Sequence, residues 1–453
     1  MGLGRMVGMQ QRASVITTGS TLAALTMLTL PSLLTQIGQT VGWLGEAYFV
    51  GQLGTAATAA IGAVGQLGWV LMVVTMMVGV GATTLVAQRW GAGDVNGARE
   101  VTVAALQQSV LFSLPVLLLW FFRHIVWTLL GVPPSVQRLA DAYFAVALAS
   151  FPVQSVAFSL MAVYRGMGDM VTPLWATFVG VVLQLAINAL LVPRWGIGGA
   201  GMALALSRLG ALGVLLWRFH RCPLSVPARH FVARCWGQHR SLLALGVPAG
   251  LQSLLWSLAS MLYFTILAHT PGKESALAAL TVGLRIEAIA FMPGIAFGMA
   301  AQTLVGQCVG AKQWRRAEKG AWQAAIGCAV TMGLIALLFF FAADGLAMRF
   351  AKDALTRHYI AAYLRINALS EPLLGISMSL GGALRGLGDT MTPAVLGVLT
   401  QWLLRLPATY WLCHGLGYDA LAAWWTMSLS TIVNGVLMAG AFWWRVRRRT
   451  PFA

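Results

Sequence analysis

Three carboxylates, Glu46, Glu287 and Glu371, lie well inside long apolar stretches, whereas most of the other acidic residues fall in loops or at the ends of such stretches. An ionised carboxylate taken out of water is costly, so such a group takes up a proton, finds a cation or holds a metal ion. The surroundings of Glu46 are the most informative. Gln36, Gln39, Trp43 and Glu46 are spaced three, four and three residues apart, which at about 3.6 residues per turn puts them on one helical face. Lipid cannot hydrogen-bond that face, so it must look into protein or a water-filled cavity. An ionisable residue in a membrane helix is by default a functional one. In another apolar stretch Gln184 and Asn188 stand one turn apart. Three roles are open to them: ligating a cation, hydrogen-bonding Glu46, or gluing helices together. Arg285 is two residues from Glu287, on a different face, so one of the two can pair across helices instead. Glu371 precedes Pro372, which breaks the helix locally. The Glu371 carboxylate can satisfy the donors freed there or take part in function, and Arg405 is a candidate partner for either second-half acid.

Other chemistries find no support. Gly196-Ile-Gly198-Gly-Ala-Gly201 matches the dinucleotide fingerprint, but no strand precedes it and it sits in a turn between two apolar segments. There is no Walker A sequence and no HExxH, the seven histidines are scattered, and the five cysteines show no CxxC pairing. We therefore expect no enzyme, no cofactor, no metal site and no disulfide framework. The net charge of +17 does not mark a nucleic-acid binder, because the basic residues sit in the gaps between apolar segments.

The elements that must position these residues are membrane helices. Of 453 residues, 58% are hydrophobic and only 9% charged, which excludes an ordinary soluble domain. Twelve segments are long enough to span the bilayer: 21–50, 57–86, 100–122, 136–162, 171–192, 197–219, 241–268, 276–304, 320–343, 357–383, 391–413 and 419–444. The first is too long for a signal h-region and no small-residue cleavage site ends it, so it reads as an uncleaved span. With the N-terminus inside, Lys and Arg divide 19 inside to 7 outside, with four more in spans. The rule that positive loops stay inside then places both termini in the cytoplasm. The Arg445–Arg449 cluster fits as a topology anchor.

The chain repeats itself. Arg165-Gly-Met-Gly-Asp169-Met-Val-Thr-Pro173 recurs as Arg385-Gly-Leu-Gly-Asp389-Thr-Met-Thr-Pro393, at an offset of 220. Thr84-Leu-Val-Ala-Gln88 recurs as Thr303-Leu-Val-Gly-Gln307, at an offset of 219. Both motifs recur in predicted cytoplasmic loops of the same orientation, so the halves are parallel repeats about an axis along the membrane normal. The expected organisation is a lobe over 1–219, a cytoplasmic linker over 220–240 and a lobe over 241–453. In the loop motif, Arg and Asp would pair or cap helix ends.

These motifs carry a resemblance. The paired Arg-Gly-x-Gly-Asp-x-x-Thr-Pro loops and the Leu-Val-x-Gln segments ahead of Gly91-Ala92 and Gly310-Ala311 resemble the multidrug and toxic compound extrusion (MATE) family of antiporters. So do Pro31 with Gln39-Thr40, and Asn188 before Gly198-Gly199-Ala200. The resemblance covers nearly the whole chain. It implies an all-α, V-shaped membrane protein of two pseudo-symmetric six-helix bundles. It also implies export of amphipathic organic cations in exchange for protons or sodium. Glu46, within Leu44-Gly45-Glu46-Ala47-Tyr48, stands where family members often carry an ion-binding aspartate. Departures are visible too. Val192, Trp256 and Leu374 occupy positions where some members have acids, and Glu287 and Glu371 resemble another branch.

We expect a multi-pass inner-membrane antiporter, a monomer in the lipid bilayer. Glu46, Glu287 and Glu371 are the candidate coupling groups, and Gln36, Gln39, Trp43, Gln184 and Asn188 line the first-lobe cavity. Proton or cation, but not both, on a buried carboxylate is a sufficient rule for antiport. The proton needs only the carboxylate, whereas sodium needs several oxygen ligands. Two alternatives stand beside this: a flippase of a lipid-linked precursor, whose phosphate-binding cavity would draw on Arg285, Arg365 and Arg405, and a non-transporting membrane scaffold.

Overall fold

The computed structural model describes residues 16–225, 236–270 and 272–449. Residues 226–235 of the linker expected over 220–240 therefore lie outside the described residues, as do Arg5 and Arg12.

The first half begins with α1 (Thr21–Gly51), α2 (Thr55–Gly91) and α3 (Val95–Val116), the last extended by a 3-10 turn, Leu117–Trp120. A short α4 (Arg123–Leu129) leads to α5 (Pro134–Ala149) and α6 (Phe151–Gly166). The latter two are one span bent by 47° at Ser150, where Pro152 removes a ladder hydrogen bond. α7 (Val171–Phe219) folds back on itself at Gly196, whose φ of 58° and ψ of −138° are open to glycine. A Cβ on Gly199 would lie 2.5 Å from the Leu191 carbonyl oxygen. A straight helix would hold those residues about 12 Å apart. α7 is thus a helical hairpin that holds both the fifth and the sixth expected span, and its turn explains the glycine run better than a nucleotide would.

The second half comprises α8 (Trp236–Leu267), α9 (Lys273–Gly310), α10 (Trp314–Phe350), α11 (Ala354–Ala368) and α12 (Glu371–Gly386). It ends with α13 (Met391–Leu399), α14 (Leu406–Tyr410) and α15 (Ala420–Arg449). Wide π-type turns flank α14 over Thr400–Arg405 and Trp411–Gly415, around Pro407, which has no N–H to offer the ladder. α11 and α12 break at Ser370 ahead of Pro372, 220 residues after the Ser150 and Pro152 break. The halves repeat even in their interruptions.

Among the described residues, eight helices are each long and apolar enough to cross a membrane, and the bent pair α5 and α6 makes a ninth. The second limb of α7, the broken span of α11 with α12, and the run from α13 through the second π-type turn complete the twelve expected. The chain is an all-α multi-pass membrane protein.

Two compact units emerge. The first contains Leu30–Gly250 and the second Gly19–Thr29 with the chain from Leu251 onward. The first turns of α1 thus belong to the second unit, where Thr21 donates to Gln323 at 2.5 Å. The first turns of α8 belong to the first unit, where Gln108 donates to the His239 carbonyl at 3.0 Å.

The two repeated motifs pack on each other in each unit. A Cβ on Gly166 would meet the Thr83 carbonyl at 2.9 Å, and one on Gly386 the Gln302 carbonyl at 2.5 Å. Asp169 caps α7 by accepting the Thr172 amide at 3.1 Å, and Asp389 caps α13 by accepting that of Thr392 at 3.0 Å. Asp389 also pairs with Arg445 at 2.7 Å. The loop aspartates act as helix caps, one of the two roles their sequence allowed.

Candidate functional site

In the first unit, α1 approaches the first limb of α7 through Gly38, Gly42 and Gly45, one face of the helix. Cβ atoms there would meet Thr177 at 3.3 Å, Val181 at 3.2 Å, and Leu185. Small residues at four- and three-residue spacing allow such close parallel packing. The approach delivers Glu46, one position on, to Gln184. Glu46 is only 6% exposed. Its Oε2 accepts from the Gln184 amide at 3.1 Å, and its Oε1 accepts from the Tyr143 hydroxyl at 2.6 Å. Tyr143, on α5, is itself buried in an apolar cluster with Val50, Phe144, Leu148 and Val192. Arg208 lies within electrostatic reach of Glu46. Its guanidinium is fixed at the α5–α6 bend, donating to the Ala147 carbonyl at 2.9 Å and to Ser150 Oγ at 2.6 Å.

The other first-lobe candidates distribute as follows. Asn188 is fully buried, and neither of its amide atoms has a hydrogen-bond partner among the described residues. Gln36 is half-buried and Gln39 exposed, while Trp43 is 66% exposed. The stripe expected on α1 thus grades from an exposed surface at Gln39 and Trp43 to a buried end at Glu46. Of its members the structure ties only Glu46 to Gln184.

The second unit builds a related site from different helices. Tyr363 on α11 donates its hydroxyl to Glu287 Oε2 on α9. Gly283, one turn before Glu287, leaves room for the Tyr363 ring. That ring packs edge-on against Trp424, with centroids 5.1 Å apart. Glu371, 3% exposed, opens α12, and its Oε2 has no hydrogen-bond partner among the described residues. It lies within electrostatic reach of Glu287. Arg405 bonds α15 through Ser430 at 2.8 Å and Thr431 at 2.9 Å, and its charge reaches Glu287. Arg285 is exposed on another face of α9, as its spacing required.

Sequence reasoning missed the two tyrosines. The signal was present: Tyr143 and Tyr363 are 220 residues apart, the offset of the loop motifs. Each unit therefore carries a tyrosine at one repeat position, hydrogen-bonded to a carboxylate. The carboxylate comes from the unit's first long helix in one case and from its second in the other. In chemical terms each arrangement is a carboxylate in an apolar stretch that accepts from a neutral tyrosine hydroxyl, with an arginine within electrostatic reach. Glu287 and Glu371 lie within electrostatic reach of each other in the second unit, so full ionisation there would set two like charges against one another.

Comparisons with known proteins agree with this architecture. The MatE family model matches residues 31–190 and again 248–411, one copy in each half. A probable multidrug resistance protein NorM of Bradyrhizobium diazoefficiens is 29% identical over 449 residues, covering 93% of both chains. Another protein of that name, from Thermotoga maritima, is 25% identical, covering 90% of this chain and 89% of its own. Among solved structures, a mutant of a Vibrio cholerae MATE transporter superposes with a TM-score of 0.88 at 22% identity, covering 97% of this chain and 98% of its own. A MOP superfamily transporter from Pyrococcus furiosus superposes with a TM-score of 0.89 at 20% identity, covering 96% and 98%.

Proposed function

The chain belongs to the MatE family of membrane transporters, and on that premise we propose that it is a multidrug exporter of the inner membrane, driving amphipathic organic cations out by antiport against protons. The observation that carries the reading is Glu46: a buried carboxylate held by the Tyr143 hydroxyl and the Gln184 amide. Neither donor neutralises it. In the charged form it attracts a cationic substrate, and in the protonated form it does not. Alternating exposure of that one group to the two membrane faces exchanges one species for the other.

The proton is the simpler partner: it needs only the Glu46 carboxylate, whereas a sodium ion needs several oxygen ligands, and Tyr143 and Gln184 meet the carboxylate as donors. Glu287 and Glu371 supply a second exchangeable charge, since two acids within reach of each other favour retention of a proton or a cation. Gln36, Gln39 and Trp43 contribute the exposed part of the substrate surface, with Trp43 offering a ring face to a cation. Asn188, one turn from Gln184, is a further candidate for lining the first-lobe cavity. Both termini are cytoplasmic in this reading, and the protein works as a monomer. The arginines that a flippase cavity would gather lie on different elements: Arg365 on α11 beside Asp344, Arg405 against α15, and Arg285 on an exposed face of α9.

The test is efflux of a fluorescent organic cation from reconstituted vesicles under an imposed proton gradient, wild type beside Glu46→Gln. Wild-type efflux that is lost in a folded mutant supports the assignment. Equal efflux by the mutant moves coupling to the second unit, and efflux under a sodium gradient alone overturns the proton.

A further inference from the structure

A cleft of about 530 Å³ opens at one end of the second unit, between the last turns of α10 and one face of α11. It is far in sequence from the loop motifs, at the end that the arginine bias places outside. Its polar lining is Arg357, His358 and Arg365 against a single acid, Asp344. Arg365 and Asp344 pair at 2.5 Å, but both are well exposed, so water competes with the pair and holds it weakly. Arg357 donates one guanidinium nitrogen to the Lys352 carbonyl at 3.0 Å. Its Nε is buried and has no hydrogen-bond partner among the described residues. Asp353 is not part of the cleft lining; its carboxylate caps α11 through the Thr356 amide at 2.8 Å and hydroxyl at 2.9 Å. Those two bonds hold its carboxyl below the usual value. Positive charge therefore exceeds negative in this cleft, and one guanidinium edge lacks an acceptor.

The surface that leads to the cleft is apolar. Leu334, Leu338, Phe341 and Met348 are all exposed on α10. With Gly345 their spacing is four, three, four and three residues, which is one face of a helix. Gly345 has open space where a side chain would stand, so the stripe is notched just below the cleft. From Leu334 to Met348 it runs about 21 Å, more than the ~15 Å of hydrocarbon in one leaflet. Met348 itself lines the cleft. The polar end and the apolar stripe are thus one continuous surface.

We propose that this surface binds an anionic phospholipid, its phosphate held by Arg357, His358 and Arg365 and one acyl chain laid along the α10 stripe. The chemistry fits: guanidinium groups bind phosphate oxygens through paired N–H donors, and Arg365 can exchange Asp344 for a phosphate. The continuous apolar stripe is what selects a lipid over a free anion, because inorganic phosphate would leave it unused. The assignment rests on the chain being a membrane protein and not on which ion drives transport.

The test uses delipidated full-length protein in detergent, titrated with phosphatidylglycerol and followed by thermal shift and native mass spectrometry. Inorganic phosphate and a diacylglycerol are the controls. Wild type is expected to bind phosphatidylglycerol, and Arg357→Gln with Arg365→Gln to weaken it about tenfold or more. Asp344→Asn frees Arg365 and alters only an exposed side chain, so it tightens binding about threefold. Two results overturn the proposal: phosphatidylglycerol binding unchanged in both variants, or inorganic phosphate reproducing the whole shift. Equal binding of diacylglycerol would likewise remove the phosphate from the site.

Discussion

Replacing Tyr143 by Phe removes one hydroxyl from the first-unit site and leaves the ring in its apolar cluster. The hydroxyl lies 2.6 Å from Glu46 Oε1, and both side chains are buried. A hydrogen bond to a charged group contributes about 1.5–3 kcal/mol, and a neutral one about 0.5–1.5. Removal leaves the carboxylate with the Gln184 amide alone, so the loss should fall in the upper range. In a cooperative unit of 150–250 residues each kcal/mol shifts Tm by roughly 2–4 °C, which predicts a fall of roughly 3–12 °C. The decisive assay is a double-mutant cycle in detergent, with Tyr143→Phe measured in the wild-type and Glu46→Gln backgrounds. In the second background the hydroxyl meets only a neutral amide, so the same substitution should cost about 1–2 kcal/mol less. A fall in Tm of less than about 1 °C, or the same fall in both backgrounds, would show that the hydroxyl does not hold a charged carboxylate. The proposed exchange at Glu46 would then lose its geometric basis.

Gly386→Ala would set a Cβ 2.5 Å from the Gln302 carbonyl, a backbone atom that cannot step aside. We expect a loss of about 1–3 kcal/mol in chemical denaturation. Gly62→Ala, in the interior of α2 with open space around it, should be neutral or stabilising by up to about 1 kcal/mol. Asn188→Leu should leave Tm unchanged or raise it, since it removes two buried polar atoms that lack partners. Vesicle efflux should nevertheless fall at least tenfold if Asn188 serves the transported cation, and retained efflux would mark the residue as packing alone.

The fold class was legible because bilayer insertion is a local property of the sequence. A segment of about 20 apolar residues must become a helix in lipid whatever its neighbours are. The duplication was equally plain, since the loop motifs specify turns and caps within a few residues: Asp169 with Thr172, and Asp389 with Thr392. For the same reason the three acids Glu46, Glu287 and Glu371 stood out, each an exception within its own apolar stretch. What surrounds them was not local. Glu46 and Tyr143 are 97 residues apart and Glu287 and Tyr363 are 76 apart, and no periodicity within one helix indicates which other helix will face it. The α1 stripe shows the limit. Helical spacing placed Gln39, Trp43 and Glu46 on one face, but only the approach of α7 along Gly38, Gly42 and Gly45 decided where that face passes from surface to interior. The sequence by itself determined which residues would be costly to bury. The tertiary structure decided which neutral donors and which arginine meet them, because hydrogen bonds act over about 3 Å and only packing brings distant helices that close.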